Sequence, residues 1–408
     1  MSLREKVISE IRHRGLIPFS RYMELCLYDP ELGYYARNAE QFGKAGDFYT
    51  ASDVHAVFGR LLARQFEEMW RALGSPPRIE VLELGPGRGL FARDVLDWSE
   101  KKFPEGFAAI HYSLCESSPA LRERLRNTLG RHFAEGKASF AQAELDQDKS
   151  AAERRANKAH GVSRGPTEEY EQAPEGRKKP GSGVPIIIFA NEFFDALPVE
   201  VLGEKGELRV GQKDGRFVET WAPATQEELD FLDRYGVHPE SGERIEVPFI
   251  AQHYMTEAAA CIQRGFLIAI DYGYTRGELL AGRHRGTVMA YRQHSASANP
   301  YEAPGDQDLT AHVNFTALAA AAEQQGMQVH PLLTQSQFLM GIGEQNQFAD
   351  VFEECRLPQE RAKVALQLKH LVTPAGMGET FHVLVASKGI STDALKNLRG
   401  LSFGKNPG

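Results

Sequence analysis

The sequence predicts an α/β fold: an open, mostly parallel sheet with helices on both faces. Three observations predict it. An apolar strand, "RIEVLELG", runs into the glycine turn "GPGRG" and then into a helical stretch. Strand and helix patterns alternate repeatedly, the signature of parallel sheets. Polar clusters follow the strands "AIHYSLCE", "VPIIIFANEFFD" and "GFLIAIDYGY", where open sheets place their ligands.

The elements follow in order. Residues 3–15 pattern as an amphipathic helix ended by Gly15. "SRYMELCLYDPELGYY" suggests a second helix, with Ser20 as N-cap and a stop at Asp29-Pro30. The loop "GKAGDFYT" leads into a long helix from about Asp53, with Val57, Leu61, Leu62, Phe66 and Met69 on one face. The near-continuous apolar run of "RIEVLELG" suits a central strand covered on both sides. After its turn come the helix "GLFARDVLDWSEKKF", the strand "AIHYSLCE" and the helix "SPALRERLRNTL", with Pro119 in its first turn. A third strand is expected near "KASFAQAEL". Residues 146–183 carry many charges, Gly and Pro, and read as a flexible solvated insertion.

"VPIIIFANEFFDALP" is the next buried strand. Alternation with turn signals at Lys205-Gly206 and Asp214-Gly215 predicts antiparallel strands after it. A helical stretch to Arg264, the strand "GFLIAIDYGY", the helix "FTALAAAAEQQG", a strand in "MQVHPLLTQ", two helices and a last strand, "ETFHVLVASKG", complete the chain. The expected organisation is an N-terminal helical segment and covering loop (1–75), a core (76–200 and 262–390) with the charged insertion 146–183, inserted strands and a helix (201–261), and a tail (391–408).

Composition narrows the function. The 408 residues carry a formal net charge of -8, which argues against nucleic-acid binding as the main activity. Cys26, Cys115, Cys261 and Cys355 lie far apart, so reduced thiols are expected. His55, His294, His312, His370 and His382 share no metal-ligand spacing, and no metal is expected. No apolar run approaches the ~20 residues of a membrane span. The N-terminus lacks an apolar signal core and carries Glu5 and Glu10. A cytoplasmic bacterial enzyme is therefore expected, with no nucleic-acid or membrane partner.

The glycine turn narrows it further. Gly85 permits the tight turn, Gly87 lets a ligand approach the backbone, and Gly89 permits close packing of helix on strand. A dinucleotide site spaces its glycines G-x-G-x-x-G. Here the third glycine comes one residue early, and Pro86 removes an N–H. Glu83, two residues before Gly85, repels phosphate and suits a positive amino group. Glu116, closing the next strand, can accept hydrogen bonds from both ribose hydroxyls. A ribose with a cationic tail points to S-adenosyl-L-methionine, with a nicotinamide or flavin site as the competitor.

"VLELGPGRG" with "LCE" resembles the motifs of class I S-adenosyl-L-methionine-dependent methyltransferases. The blocks "GDFYTASDVHAVFG", "ANEFFDALPVE", "AIDYGY", "RGTVMAYRQH", "DLTAHVNF" and "GETFHVL" resemble the MidA family, in that family's order, from about Leu16 to Gly389. Pro86 stands where many members have Ala, and the charged insertion is longer than is typical. The resemblance implies a Rossmann-like methyltransferase core with one antiparallel late strand, N-terminal helices, an inserted β-hairpin region and a C-terminal helical insertion. For the eukaryotic branch it implies methylation of a protein arginine, linked to respiratory complex I assembly. An arginine-bearing protein is the expected partner, with a homodimer allowed. A methyltransferase for a small molecule or another protein side chain, a non-catalytic cofactor-binding assembly factor and a nucleotide-dependent oxidoreductase are the alternatives.

Carboxylates hold a guanidinium through planar, bidentate pairing. Asn191, Glu192 and Asp195 follow a motif strand beside the expected methyl, and Glu192 is the expected group to polarise the nitrogen. The plainer account of Glu192 and Asp195 is that of acids favoured by a helix N-terminus. Phe193 and Phe194 read as core. In "GKAGDFYT", Gly43 and Gly46 suggest mobility, and Asp47 and Thr50 are expected at the methionine end of the cofactor, with Tyr49 over it; a capping loop with Ser52 as N-cap is the alternative. Asp271 and Tyr272 face the same region, either against substrate or holding a loop. His312 is a candidate proton acceptor, although Asp308 capping a helix would explain its motif equally well.

Overall fold

The computed structural model describes residues 1–37, 56–141, 183–280, 285–292 and 295–403. Helix Leu3–Arg14 opens the chain, with Ser2 and Glu5 forming a reciprocal capping box and Gly15 closing it at φ 83°. Its Leu3, Val7 and Ile11 are buried. Strand β1 (Ile17–Pro18) leads directly into helix Phe19–Tyr28. Pro18 occupies the N-cap of that helix, so Ser20 is not the cap. The cap falls on Pro18, two residues before Ser20, and the buried Ser20 hydroxyl instead donates to Glu200 at 2.7 Å. Helix Tyr34–Arg37 follows.

After helix Ala56–Ala72 come β2 (Ile79–Leu84), helix Leu90–Lys102, β3 (Ile110–Cys115), helix Pro119–Thr128 and β4 (Ala138–Phe140). Then follow β5 (Ile186–Asn191), β6 (Glu200–Gly203), β7 (Gly206–Lys213), β8 (Arg216–Ala222), β9 (Arg244–Val247) and β10 (Gly265–Tyr274). Two helices, Gln226–Tyr235 and Phe249–Cys261, flank β9. The rest comprises β11 (Met289–Arg292), β12 (Ser295–Ser297), β13 (Asp308–Thr310), β14 (Val313–Asn314), helix Phe315–Gln324, β15 (Gln328–Val329), β16 (Leu333–Thr334) and β17 (Phe381–Lys388).

The central sheet runs β15-β17-β10-β5-β2-β3-β4. β4, β3, β2, β5 and β10 are parallel, and β17 is antiparallel to β10. The chain builds outward from β2 to β4, then returns to the other side of β2 with β5. That reversal is the switch point of the sheet, and open α/β sheets bind ligands in the crevice beyond the strand ends at such a point.

The apolar runs are explained by a sheet covered on both faces. Ile187 and Phe189 of β5 pack with Ile79, Val81, Phe66 and Phe91 on one face. Ile188 and Ala190 pack with Leu84, Ala258 and Leu318 on the other. Strand alternation sends neighbouring residues to opposite cores, so every position must be apolar.

A second sheet, β1-β7-β6-β9 with β8 on β7, and a small sheet, β12-β11-β13, pack around a third core with the N-terminal helices. Asp214 and Gly215, at φ 51° and 75°, form the two-residue turn joining β7 to β8. "MQVHPLLTQ" forms two short strands, β15 and β16, rather than one, because Pro331 between them cannot donate to β17. Three helices, not two, precede β17: Gln335–Glu344, Ala349–Phe352 and Pro358–Val372. The break comes at Phe348, whose φ of 57° reverses the chain. The charged insertion and the loop before the long helix lie outside the described residues, apart from the insertion's last residue, Gly183.

Asp271, at the end of β10, has no exposed surface. Its Oδ2 accepts from the backbone N–H groups of Phe194 (3.0 Å) and Asp195 (3.3 Å), and its Oδ1 accepts from Tyr272 N–H (2.9 Å). Replacing it with Ala strands these buried donors and is expected to cost roughly 3 kcal/mol in urea unfolding. Asp271→Asn keeps a carbonyl toward Phe194 and Asp195 and is expected to cost less; equal costs would remove this bracing role.

Candidate functional site

The glycine turn closes β2. Gly85, Gly87 and Gly89 take φ values of 63°, 52° and 75°, a region that L side chains adopt only with strain. Each serves a different need. A Cβ on Gly85 would stand 2.8 Å from the Phe193 ring, and one on Gly89 would stand 2.6 Å from Leu125 Cδ2. Gly89 therefore admits a helix side chain against the turn, rather than a helix against a strand as its position suggested. A Cβ on Gly87 would meet nothing within 4 Å. The space over Gly87 is open, as a closely approaching ligand requires.

Two carboxylates flank the turn. Glu83 is 4% exposed beneath it and accepts from the Tyr112 hydroxyl at 2.9 Å. Burial pushes its carboxyl up to about 8. Glu116 lies just past β3, and its Oε1 accepts from Ser118 N–H at 2.7 Å. Burial pushes Glu116 up to about 7, against the pull of the backbone N–H groups of Ser118 and Ser117. Two acids held partly out of water beside an open glycine backbone suit a ligand with a cation at one end and a diol at the other. Asp47 and Thr50 lie outside the described residues.

The other wall follows β5. Asn191 ends the strand, and its Nδ2 donates to Glu192 Oε1 at 3.1 Å. Glu192 takes φ 49°, and its N–H donates to Ile270 O at 2.9 Å. Residues 192–199 run as turns and bends without a helix, so no helix dipole accounts for Glu192 or Asp195. The half-buried Phe193 faces Gly85 and makes edge contact with Phe194 and Tyr254. Asp195 is 4% exposed, and burial raises its carboxyl.

Asp271 takes the loop-holding role, because its oxygens face backbone donors rather than the crevice. Tyr272 is buried, and its ring meets His312 edge-on at 5.2 Å. Burial lowers the His312 pKa, so the ring is neutral near pH 7. Asp308 does not cap a helix: it is buried in β13, while Asn314 caps helix Phe315–Gln324. Sequence reasoning missed Tyr28, Tyr35 and Asp308. Tyr35 donates to Asp308 Oδ1 at 3.1 Å, and Tyr28 donates to Ala196 O at 3.0 Å. The sequence signal for the two tyrosines is aromatic density in "CLYDPELGYY"; Asp308 stands in "DLTAHVNF", where it read as a helix cap. Among the described residues, no group of His, Cys, Asp and Glu is arranged to hold a metal, and no helix is long and apolar enough to cross a membrane.

The glycines separate two effects. Gly89→Ala is expected to destabilise the fold by about 2 kcal/mol, through overpacking and a strained φ. Gly87→Val, with open space around it, should cost about 1 kcal/mol of stability but abolish S-adenosylhomocysteine binding in calorimetry. Retained binding in Gly87→Val would remove Gly87 from the ligand cradle.

Glu83 adds a pH signature. Its raised folded-state pKa means that the folded chain keeps a proton the unfolded chain releases. The stabilising contribution is full below 4.5 and is lost as pH rises through about 8. Glu83→Gln should flatten that decline in melting temperature between these limits while weakening S-adenosylhomocysteine binding. An unchanged slope would refute the assignment.

Residues 61–333 match the family described as "Putative S-adenosyl-L-methionine-dependent methyltransferase". The chain is 29% identical to the mitochondrial protein arginine methyltransferase NDUFAF7 homolog of Drosophila melanogaster, covering 95% of this chain and 85% of that protein. It is 28% identical to mitochondrial protein arginine methyltransferase NDUFAF7 of Danio rerio, over 93% and 85%. A Burkholderia thailandensis protein crystallised with S-adenosyl-homocysteine superposes with a TM-score of 0.74 at 28% identity, covering 96% of this chain and 94% of that one. The expected cytoplasmic location is overturned, because these curated relatives are named as mitochondrial proteins. The cofactor is S-adenosyl-L-methionine, and the residues around the glycine turn fit it. The chain belongs to the MidA family of S-adenosyl-L-methionine-dependent methyltransferases.

Proposed function

We propose that this methyltransferase acts on a guanidinium nitrogen of a protein arginine. The carrying observation is the carboxylate of Glu192, held at the end of β5 by a left-handed backbone and by Asn191 Nδ2 at 3.1 Å. Relatives from fly and zebrafish that align over more than nine-tenths of this chain are named protein arginine methyltransferases, which supports the same acceptor here.

When bound, S-adenosyl-L-methionine supplies an electrophilic methyl on a sulfonium. Gly85, Gly87 and Gly89 shape the backbone over which its adenosine and methionine halves meet. Glu116 receives the ribose hydroxyls, and Glu83 turns its carboxyl to the amino end, whose positive charge favours the ionised form. On the acceptor side, Glu192 and Asp195 pair with the guanidinium and fix one nitrogen in line with the methyl. Transfer forms an N–C bond and breaks the S–C bond, with the sulfur keeping the electron pair. The nitrogen gives up one proton, which Glu192 accepts. Phe193 and Tyr254 keep water from the reacting centre.

Labelled methyl transfer into extract from cells lacking the protein, followed by mass spectrometry, identifies the acceptor. Methylarginine in peptides is the expected product; label confined to small molecules would overturn the assignment. Glu192→Gln should lower kcat on the order of 100-fold while S-adenosylhomocysteine binds as in the wild type. Full activity in Glu192→Gln would remove its role.

A further inference from the structure

Asp308 is the acidic residue near the crevice that the proposed chemistry leaves unused. Strand β13 presents it. Leu309, between Asp308 and Thr310, is buried in the core beneath the N-terminal helices. Alternation therefore turns Asp308 and Thr310 to the opposite face. Thr310 bears on the Tyr272 hydroxyl there. The next residue, Ala311, donates its N–H to the Asp195 carbonyl at 2.9 Å, which ties the end of β13 to the acceptor turn.

Tyrosines enclose the two acids. Tyr35 donates to Asp308 Oδ1, and its ring meets that of Tyr28 at 5.4 Å. Tyr291 pairs with Asp308 across β11 and β13. Beyond the effect of burial, Asp195 and Asp308 both disfavour ionisation of Tyr28, Tyr35 and Tyr291, so both charges bear on the same three rings. Glu116 also bears on Tyr28, and Ser118 donates to the Tyr35 carbonyl at 3.4 Å, so this wall reaches the cofactor side.

The pocket has polar capacity left over. Asp195 Oδ1 and the Tyr272 hydroxyl, on residues 4% and 7% exposed, have no hydrogen-bond partner of proper geometry among the described residues. They lie near enough to influence each other's ionisation. A buried acceptor whose neighbouring donor is poorly aligned gains when a ligand supplies a better one. Two buried carboxylates near the same three tyrosine rings match a planar delocalised cation, which takes in-plane hydrogen bonds at its edge and π contact on its faces.

We propose that Asp308 is a third carboxylate of the acceptor site, reading the guanidinium together with Asp195 and Glu192 beside Tyr28, Tyr35 and Tyr291. This rests on the arginine reading above. Asp308 binds the acceptor and takes no part in proton transfer. Its loss acts on KM, whereas loss of Glu192 acts on kcat.

The test is labelled methyl transfer by the full chain into a pooled library of arginine-containing peptides. Asp308→Asn should raise the apparent KM at least about tenfold, the size of a lost charge-assisted contact, with S-adenosylhomocysteine affinity and melting temperature unchanged. Tyr35→Phe, which leaves the carboxylate in place and removes one hydrogen bond to it, should raise KM by about threefold and serves if Asp308→Asn does not fold. Methylation of arginine by the wild type with unchanged KM in the variant would overturn the role of Asp308 and leave the arginine reading intact. No methylarginine from the wild type would overturn both.

Discussion

The site depends on the hydrogen bonds that buried Asp271 accepts from the backbone of Phe194 and Asp195. They fix a turn that carries no regular hydrogen-bond ladder of its own. That turn holds Glu192 in a left-handed conformation, lays Phe193 on Gly85, and offers the Asp195 carbonyl to Ala311. An acid in the core is expensive, and its carboxyl is pushed up first by burial and then by Asp195 and Glu192. The cost is tolerated because backbone donors beside a ligand site must be satisfied without a helix or a strand.

Around that brace, two structural units meet. The central sheet supplies the glycine turn, Glu116 and the residues after β5. The N-terminal helices and the small sheet supply Tyr28, Tyr35, Tyr291 and Asp308. Glu83, Glu116, Asp195 and Asp271 are all raised by burial, so each holds its proton more tightly than in water, and a cation brought beside them draws them back toward the charged form. A crevice lined in this way favours cations, and both the methionine end of the cofactor and a guanidinium are cations.

Much of the sheet was legible because its residues obey local rules. β5 and β10 are apolar on both faces up to their polar ends, β2 is so except at Glu80 and Glu83, and glycines at 85, 87 and 89 announce a turn at positive φ. The polar ends of the strands marked the crevice. What escaped reading depended on distant partners. Gly89 looked like a helix–strand contact, but its neighbour is Leu125, which only the fold brings near. Ser20 looked like a cap, yet Pro18 started the helix first and Glu200, far along the chain, claimed the hydroxyl. Asp308 looked like a helix cap because a helix follows; it lies in β13, and Asn314, next to the helix, takes the cap. Asp271 left two accounts open in sequence, and only its contacts with residues 194 and 195 chose between them.

The contact between Gly85 and Phe193 has an evolutionary consequence. The ring of Phe193 lies where a Cβ on residue 85 would stand 2.8 Å away. The cofactor-side turn and the acceptor-side turn thus share one volume, and neither can drift alone. A lineage that enlarges residue 85 must shrink residue 193, and the two positions are expected to covary although 107 residues separate them in sequence. The partition between donor and acceptor halves, clear in the chemistry, does not exist in the packing.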